Sequence, residues 1–393
     1  MKIGFIYRGD PRHRTANRLS MLKNVAAARR LGHEVVLMTP REGMTAAVAE
    51  AALASALEDF GIAERFPLKT VPRIVVKGRG RRSFDLLAAC WARAQGFDLV
   101  WSRELYAAHY SSAFGLKTII EHHHPFTERQ SKVARRMLKR GSFRGVAAIS
   151  DVHRRLLVGA GWPEEKVVTA HSGVDLAPFE AAQRSANGNG RARLAAPGQR
   201  VVLYAGSLYA GKGGDQILLA AERMREAKFV LLGGRDFEVA RLKERAARLR
   251  LSNVELTGHV PHASIPAYLS AADILVAPFT ADGRDVGGKV IIPFASPIKL
   301  FEYMAAGKPI VTSNVGAIPE ILRHEENALL SPPGSVDDLV QNISRLLNDA
   351  ALSERLGTAA RECVRLYSWE KRVARVLEFA RVEARTTYVP QVS

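Results

Sequence analysis

The chain has 393 residues, 47% hydrophobic and 24% charged, which suits a globular protein with length for two full cores. Its two cysteines, Cys90 and Cys363, set neither a disulfide framework nor a metal site, and no apolar run approaches the roughly 20 residues that span a bilayer. The net charge of +18 favours anionic partners such as nucleotide-sugars or acidic membranes, although an arginine-rich background accounts for it equally well. Nucleic acid is not expected, because zinc spacings, RNP-like motifs and basic–aromatic interleaving are all missing.

Met1–Tyr7 reads as a buried strand and not as a signal peptide, so a cytoplasmic location is expected. The loop Arg8-Gly9-Asp10, a helix over Thr15–Arg30 and a strand over Glu34–Met38 complete the opening of a doubly wound sheet. Gly9 is a lone glycine where a dinucleotide fold needs GxGxxG, which disfavours a dehydrogenase; it still lets backbone approach a ligand. Further strands are expected at Ile74–Val76, Leu99–Trp101, Thr118–Glu121, Gly145–Ile149 and Val167–Ala170. Lys77–Arg82 is a basic loop, and Arg129–Arg140 a basic helix that either lies on anionic lipid or presents a solvated face.

The run His122-His123-His124 suggests a metal, but neighbours on an extended chain point to opposite faces and no carboxylate or cysteine pattern accompanies them. No metal site is expected. The three either line a loop or include one reactive ring. Arg184–Gly198, rich in Gly, Asn and Arg, reads as a linker. A second α/β series follows, with strands at Val201–Gly206, Phe229–Gly233, Val254–Thr257, Ile274–Ala277 and Ile310–Thr312. Helices Ser353–Tyr367 and Trp369–Arg385 and a frayed tail over Thr386–Ser393 close the chain.

Two blocks carry chemistry. In YAGSLYAGKGGDQIL a strand ends at Gly206, and a glycine loop bearing Lys212 leads into a helix. It is either a surface loop or a phosphate clamp, with glycine for close approach and lysine for charge. In SPIKLFEYMAAGKPIV, Ser296 reads as an N-cap, Pro297 as the first helical residue and Gly307 as the C-terminal stop. Lys299 and Glu302 share a face, about 4.5 Å apart along the axis. They form either a surface ion pair or, beside the helix N-terminus, a site for a phosphate and a ribose.

SPIKLFEYMAAGKPIVTSNVGAIPEIL resembles the donor-site block of the retaining glycosyltransferases of family four, which have the GT-B fold. The resemblance spans nearly the whole chain and is strongest over Gly145–Asp175, Tyr204–Asp215 and Ala272–Leu330. It implies two Rossmann-like, doubly wound parallel-sheet domains facing a central cleft. They would be an acceptor domain over 1–183, a linker over 184–198, a donor domain over 199–366 and a helix crossing back over 367–393.

It further implies that Lys299 and Lys212 hold the diphosphate, Glu302 the ribose, and that His259 and Val260 lie against the base. Gly206, Ser207, Gly233, Pro297, Ile298 and Leu300 complete the donor side, with Ser207 where many members have arginine. His123 matches the family's histidine beside the donor sugar, and Arg8, Gly9 and Glu104 are candidates on the acceptor side. Glu320 matches a family position, with helix capping the simpler account, and the first of the family's two glutamates is replaced by Phe294.

The expected reaction moves a sugar from a nucleoside diphosphate sugar to an acceptor hydroxyl with retention, using neither cofactor nor metal. The acceptor is open: a glycan, a lipid-linked sugar or a small molecule, with a peripheral position on the inner membrane face as one setting. The alternatives are a nucleoside diphosphate sugar epimerase on the same scaffold and a non-catalytic basic binding protein.

Overall fold

The structure is a computed structural model that describes residues 1–10, 12–13, 15–74, 81–124, 126–184, 194–283, 290 and 292–381. The core of the expected linker, most of the basic stretch Lys77–Arg82 and the tail Thr386–Ser393 lie outside the described residues.

The first domain is built on β1 (Lys2–Ile6), β2 (Glu34–Pro40), β3 (Leu68–Val71), β4 (Leu99–Ser102), β5 (Thr118–His122), β6 (Phe143–Ala148) and β7 (Val167–Thr169). Their order is β3-β2-β1-β4-β5-β6-β7, and every pairing is parallel. The second contains β8 (Val201–Ala205), β9 (Lys228–Leu232), β10 (Val254–Gly258), β11 (Ile274–Ala277), β12 (Ile310–Ser313) and β13 (Leu329–Ser331). These run β10-β9-β8-β11-β12-β13, again parallel throughout. Parallel strands are joined by helices that cover both faces, so a run such as Val201–Ala205 is buried at every position. Each sheet reverses its strand order once, between β1 and β4 and between β8 and β11; ligands of open α/β sheets bind at such points.

Some elements differ from the reading of the sequence. The third strand is Leu68–Val71, in register with Leu37–Pro40, and Pro72 ends it because it has no N–H for the ladder. Ile74 belongs to no strand, and Val75 and Val76 lie outside the described residues. Helix Ala350–Val364 starts early on its cap Asp349, which accepts from the Leu352 N–H at 2.9 Å. Helix Ile298–Ala306 ends as expected at Gly307, with φ +67°, but begins without a side-chain cap. Ser296 faces the other domain instead: its Oγ accepts from the Ser172 N–H at 2.9 Å and its carbonyl from Ser172 Oγ at 2.6 Å.

The chain crosses between domains at one place, where Val174 bridges to Ser368. Beyond it, helix Trp369–Arg381 packs on the first domain, and Trp369, Val373, Val376 and Leu377 share a core with Ile3, Phe5, Leu22 and Trp101. Burying the Trp369 ring alone contributes about 4–6 kcal/mol by area, as an upper figure.

Candidate active site

At the second domain's reversal point, Lys299 reaches back from helix Ile298–Ala306 over the end of β8. Its Nζ stands 3.8 Å from the centre of the Tyr204 ring and 5.5 Å from that of Phe279. The ammonium is enclosed and has no hydrogen-bond partner. Gly206 makes room for it: a Cβ there would lie 2.6 Å from Lys299 Nζ, on a backbone with φ +139°. Lys212 approaches the same Phe279 ring, its Nζ 5.5 Å from the centre. Its loop turns through Gly213, where φ is +94° and a Cβ would come within 2.4 Å of the Pro278 carbonyl.

Burial pushes the Lys299 ammonium well below its ordinary pKa range, and the like charge of Lys212 pushes it further. An anion placed here would relieve both effects. The uncapped helix start at Pro297 adds backbone N–H groups and the positive dipole end. One turn on, Glu302 accepts from His262 Nε2 at 2.5 Å, so the surface ion pair with Lys299 does not form. Glu302 and His262 open into a recess between the domains lined also by Lys23, Phe60 and Ile298.

The other donor-side candidates divide. Leu300 is sealed in the core and its N–H is bonded to the Pro297 carbonyl at 3.0 Å, so it offers a ligand nothing. Gly233 supports the turn beneath: its N–H bonds the Gly258 carbonyl at 2.8 Å, and a Cβ would meet the Gly206 carbonyl at 2.5 Å. Ser207 is exposed, its carbonyl accepting from Tyr204 Oη at 2.5 Å. His259 is exposed 3.4 Å from Asp59 of the first domain, while Val260 packs half-buried on the second domain's core. Ile298 packs against the core of the first domain.

In the first domain the strand alternation separates the histidines. His122 stacks on Phe126 with centroids 3.9 Å apart, whereas His123 turns to the side of Glu121. His123 Nε2 is 2.7 Å from Glu121 Oε1, and Arg103 Nη2 lies 2.8 Å from Nδ1 and 2.9 Å from Nε2. Burial, then the Arg103 charge, pushes the His123 ring down to about 3, so it is neutral. Glu121 is fully buried; against the upward push of burial, the Arg372 charge and the His123 hydrogen bond hold it well below the carboxylate range. Arg103 and Arg372 were not legible as site residues; the one signal was a glutamate inside the apolar run of β5.

Of the residues expected on the acceptor side, Arg8 pairs with buried Asp85 at 2.6 Å and with Glu104 at 3.1 Å. Gly9 abuts the Tyr7 ring, which a Cβ would approach to 2.2 Å. Between the domains Phe294 replaces a carboxylate by an apolar contact, 6.2 Å from the His124 ring and 5.8 Å from that of His153. Glu320 does cap a helix, but one in the opposite domain: it accepts the N–H groups of Asp151 and Val152 at 2.8 and 2.7 Å. Among the described residues, Asp151, His171 and Glu320 are the one group placed closely enough to share a metal ion. That group lies in the domain contact and not at the lysine pair, and both Glu320 oxygens already accept backbone N–H groups.

Residues 21–178 match the family model described as Glycosyltransferase Family 4, and residues 199–349 the one described as Glycosyl transferases group 1. The phosphatidyl-myo-inositol mannosyltransferase of Mycobacterium leprae is 30% identical over 234 residues, 57% of this chain and 55% of that protein. An uncharacterized glycosyltransferase of Methanocaldococcus jannaschii is 29% identical over 170 residues, 43% of this chain and 44% of its own length. The chain thus spans about half the length of the curated relatives it matches. In fold it is similar to HepE of Anabaena, solved in complex with UDP, with a TM-score of 0.74, 18% identity and coverage of 96% of this chain and 99% of that one. A glycosyltransferase from Rickettsia africae gives a TM-score of 0.75 at 16% identity, over 98% and 99% of the two chains. With both domains matched by family models and the two-domain architecture shared from end to end, the chain belongs to the family-four, group 1 glycosyltransferases of the GT-B fold.

Proposed function

We propose that the protein transfers a glycosyl group from a nucleoside diphosphate sugar to an acceptor hydroxyl with retention of configuration. The observation that carries this reading is the Lys299 ammonium, enclosed and unpartnered beside Lys212 at an uncapped helix start. Fixed positive charge at that point stabilises the diphosphate as it leaves, and does so without a metal ion or cofactor. Glu302, oriented by His262, accepts the ribose hydroxyls. His123 works as a neutral ring at the sugar, a sugar hydroxyl replacing Arg103 as donor to Nδ1. The cations Arg129, Lys132, Arg135 and Arg136 are exposed on helix Glu128–Leu138 and form the face that meets an anionic membrane, which suits a lipid-linked acceptor. No described helix is long and apolar enough to cross a membrane.

Calorimetry with a panel of nucleoside diphosphates tests the donor site. Lys299→Ala and Lys212→Ala should each weaken binding roughly ten- to a hundredfold, since a charge-assisted hydrogen bond is worth about 1.5–3 kcal/mol. Wild-type affinity should fall as pH rises, because alkali removes the Lys299 proton that the diphosphate needs. Unchanged affinity in both variants, with melting temperatures intact, removes the donor site from this edge.

A further inference from the structure

Glu121 divides its two oxygens unequally. Oε2 accepts from Asn24 Nδ2 at 3.3 Å and Trp101 Nε1 at 3.2 Å and forms an ion pair with Arg372 Nη2 at 3.1 Å, three contacts that fix the plane of the carboxylate. Oε1 is thereby aimed at His123 Nε2, 2.7 Å away. Arg372 comes from the last helix, is 5% exposed, and stands between the rings of Trp101 and Trp369 at 5.8 and 6.0 Å. Its Nη1 also donates to Asn24 Oδ1 at 2.8 Å, so it orients the amide that helps to hold Glu121.

We propose that Arg372 is a positioning residue for His123, fixing through Glu121 which ring nitrogen carries the proton and how the ring faces the cleft. This rests on the reading of His123 as the residue at the donor sugar. Arg103 Nη2 lies 2.8 and 2.9 Å from the two ring nitrogens, so Glu121 decides between them: an ionised carboxylate only accepts, Nε2 must therefore carry the hydrogen, and bare Nδ1 is the nitrogen that accepts from Arg103. The tautomer follows from charges on three separate elements: Glu121 on β5, Arg103 after β4 and Arg372 on the closing helix. Other titratable groups close to this set include His122 beside the ring, Tyr7 against Arg103 and His171, on which the Arg372 charge acts. Without Arg372 the buried carboxylate keeps the neutral donors Asn24 and Trp101, the His123 ring and, as a more distant cation, the Arg103 guanidinium at 3.9 Å. It then either takes a proton, which reverses the hydrogen bond to Nε2, or draws a second proton onto His123.

The test combines nitrogen-15 histidine spectra with turnover on Arg372→Gln. In the wild type the His123 signals should stay those of one neutral tautomer between about pH 5 and 8. In the variant they should titrate or change tautomer within that range, and turnover should fall about tenfold or more with a new acid limb. Nucleoside diphosphate affinity should not move, and Arg372→Lys should restore the spectrum and most of the turnover. If the single variant does not fold, Glu121→Gln/Arg372→Met removes the buried pair as a unit; it should fold, since Arg103 keeps its hydrogen bonds to Asn17, and still lose the fixed tautomer. A His123 spectrum unchanged in whichever variant folds overturns the proposal, even if turnover drops. His123→Ala, assayed alongside, separates the two layers: full turnover in that variant defeats the reading of His123, while the spectra still judge Arg372.

Discussion

At the second domain's reversal point the Lys299 ammonium is enclosed with no hydrogen-bond partner, whereas in the first domain, on β5 one strand past the reversal, the Glu121 carboxylate has hydrogen bonds from three side chains and an ion pair with Arg372. The topology is the same on both sides of the cleft, and the treatment of charge is opposite. One edge holds the Lys299 ammonium without a hydrogen-bond partner, where an anion would offset the cost of burial. The other surrounds its buried carboxylate with donors and cations and presents a neutral ring held between Glu121 and Arg103. The difference teaches that a ligand's binding energy and its chemistry can be lodged in separate domains, joined only when the cleft is filled.

His123→Ala should show that division most strongly. Turnover should drop about 10²-fold, the scale of losing one preorganised group, while nucleoside diphosphate affinity stays within error. Equal losses in turnover and nucleotide affinity would erase the contrast between the two edges.

Gly206→Ala attacks the other side with a single carbon. The new Cβ would displace Lys299 Nζ from 2.6 Å, on a backbone that side chains rarely adopt. Nucleotide affinity should weaken about tenfold, consistent with one impaired charge-assisted bond. Isothermal titration that finds wild-type affinity would mean that the Lys299 ammonium need not stand over Tyr204.

A separate effect, on stability and not on binding or turnover, concerns acid. Burial is the leading cause that brings His153 and His171 down to about 4 and His123 to about 3, all below the ordinary value. A ring kept neutral in the fold protonates freely once unfolded, so the folded chain binds fewer protons and loses stability as pH falls from about 6.5 towards 4. Glu320, raised by burial, opposes the trend weakly. Urea unfolding at pH 6.5 and 5.5 should differ by about 1–3 kcal/mol, and His153→Phe should reduce the difference. A slope that His153→Phe leaves untouched would assign the effect to other groups.

Most of the strands, and the helix carrying Lys299, were legible because apolar runs and Pro/Gly punctuation are local signals. What failed was long-range. Ser296 has the composition of an N-cap, but its hydroxyl serves Ser172. Glu320 was recognised as a capping carboxylate without any way to see that its helix, Asp151–Gly159, lies in the other domain. Ile74–Val76 and Leu68–Val71 are both β-prone, and only pairing with Leu37–Pro40 chooses between them. Glu302 prefers His262, forty positions away, over a lysine three positions away. Arg372, Asn24 and Glu121 join residues scattered over nearly the whole chain, a constellation that no spacing rule reaches.

The closing helix has a consequence for how the protein is made. Trp369, Val373, Val376 and Leu377 complete the core around Ile3, Phe5 and Leu22, so the domain synthesised first depends on residues that leave the ribosome near the end. All seven strands of its sheet emerge before the closing helix covers its share of that face beside helix Ala16–Arg30, and the intervening domain can fold before the first one closes. A nascent chain of this design exposes a sticky surface for most of its elongation. A product that stops short of Trp369 leaves the surface open permanently and becomes a substrate for chaperones and proteases, whatever the state of its nucleotide site.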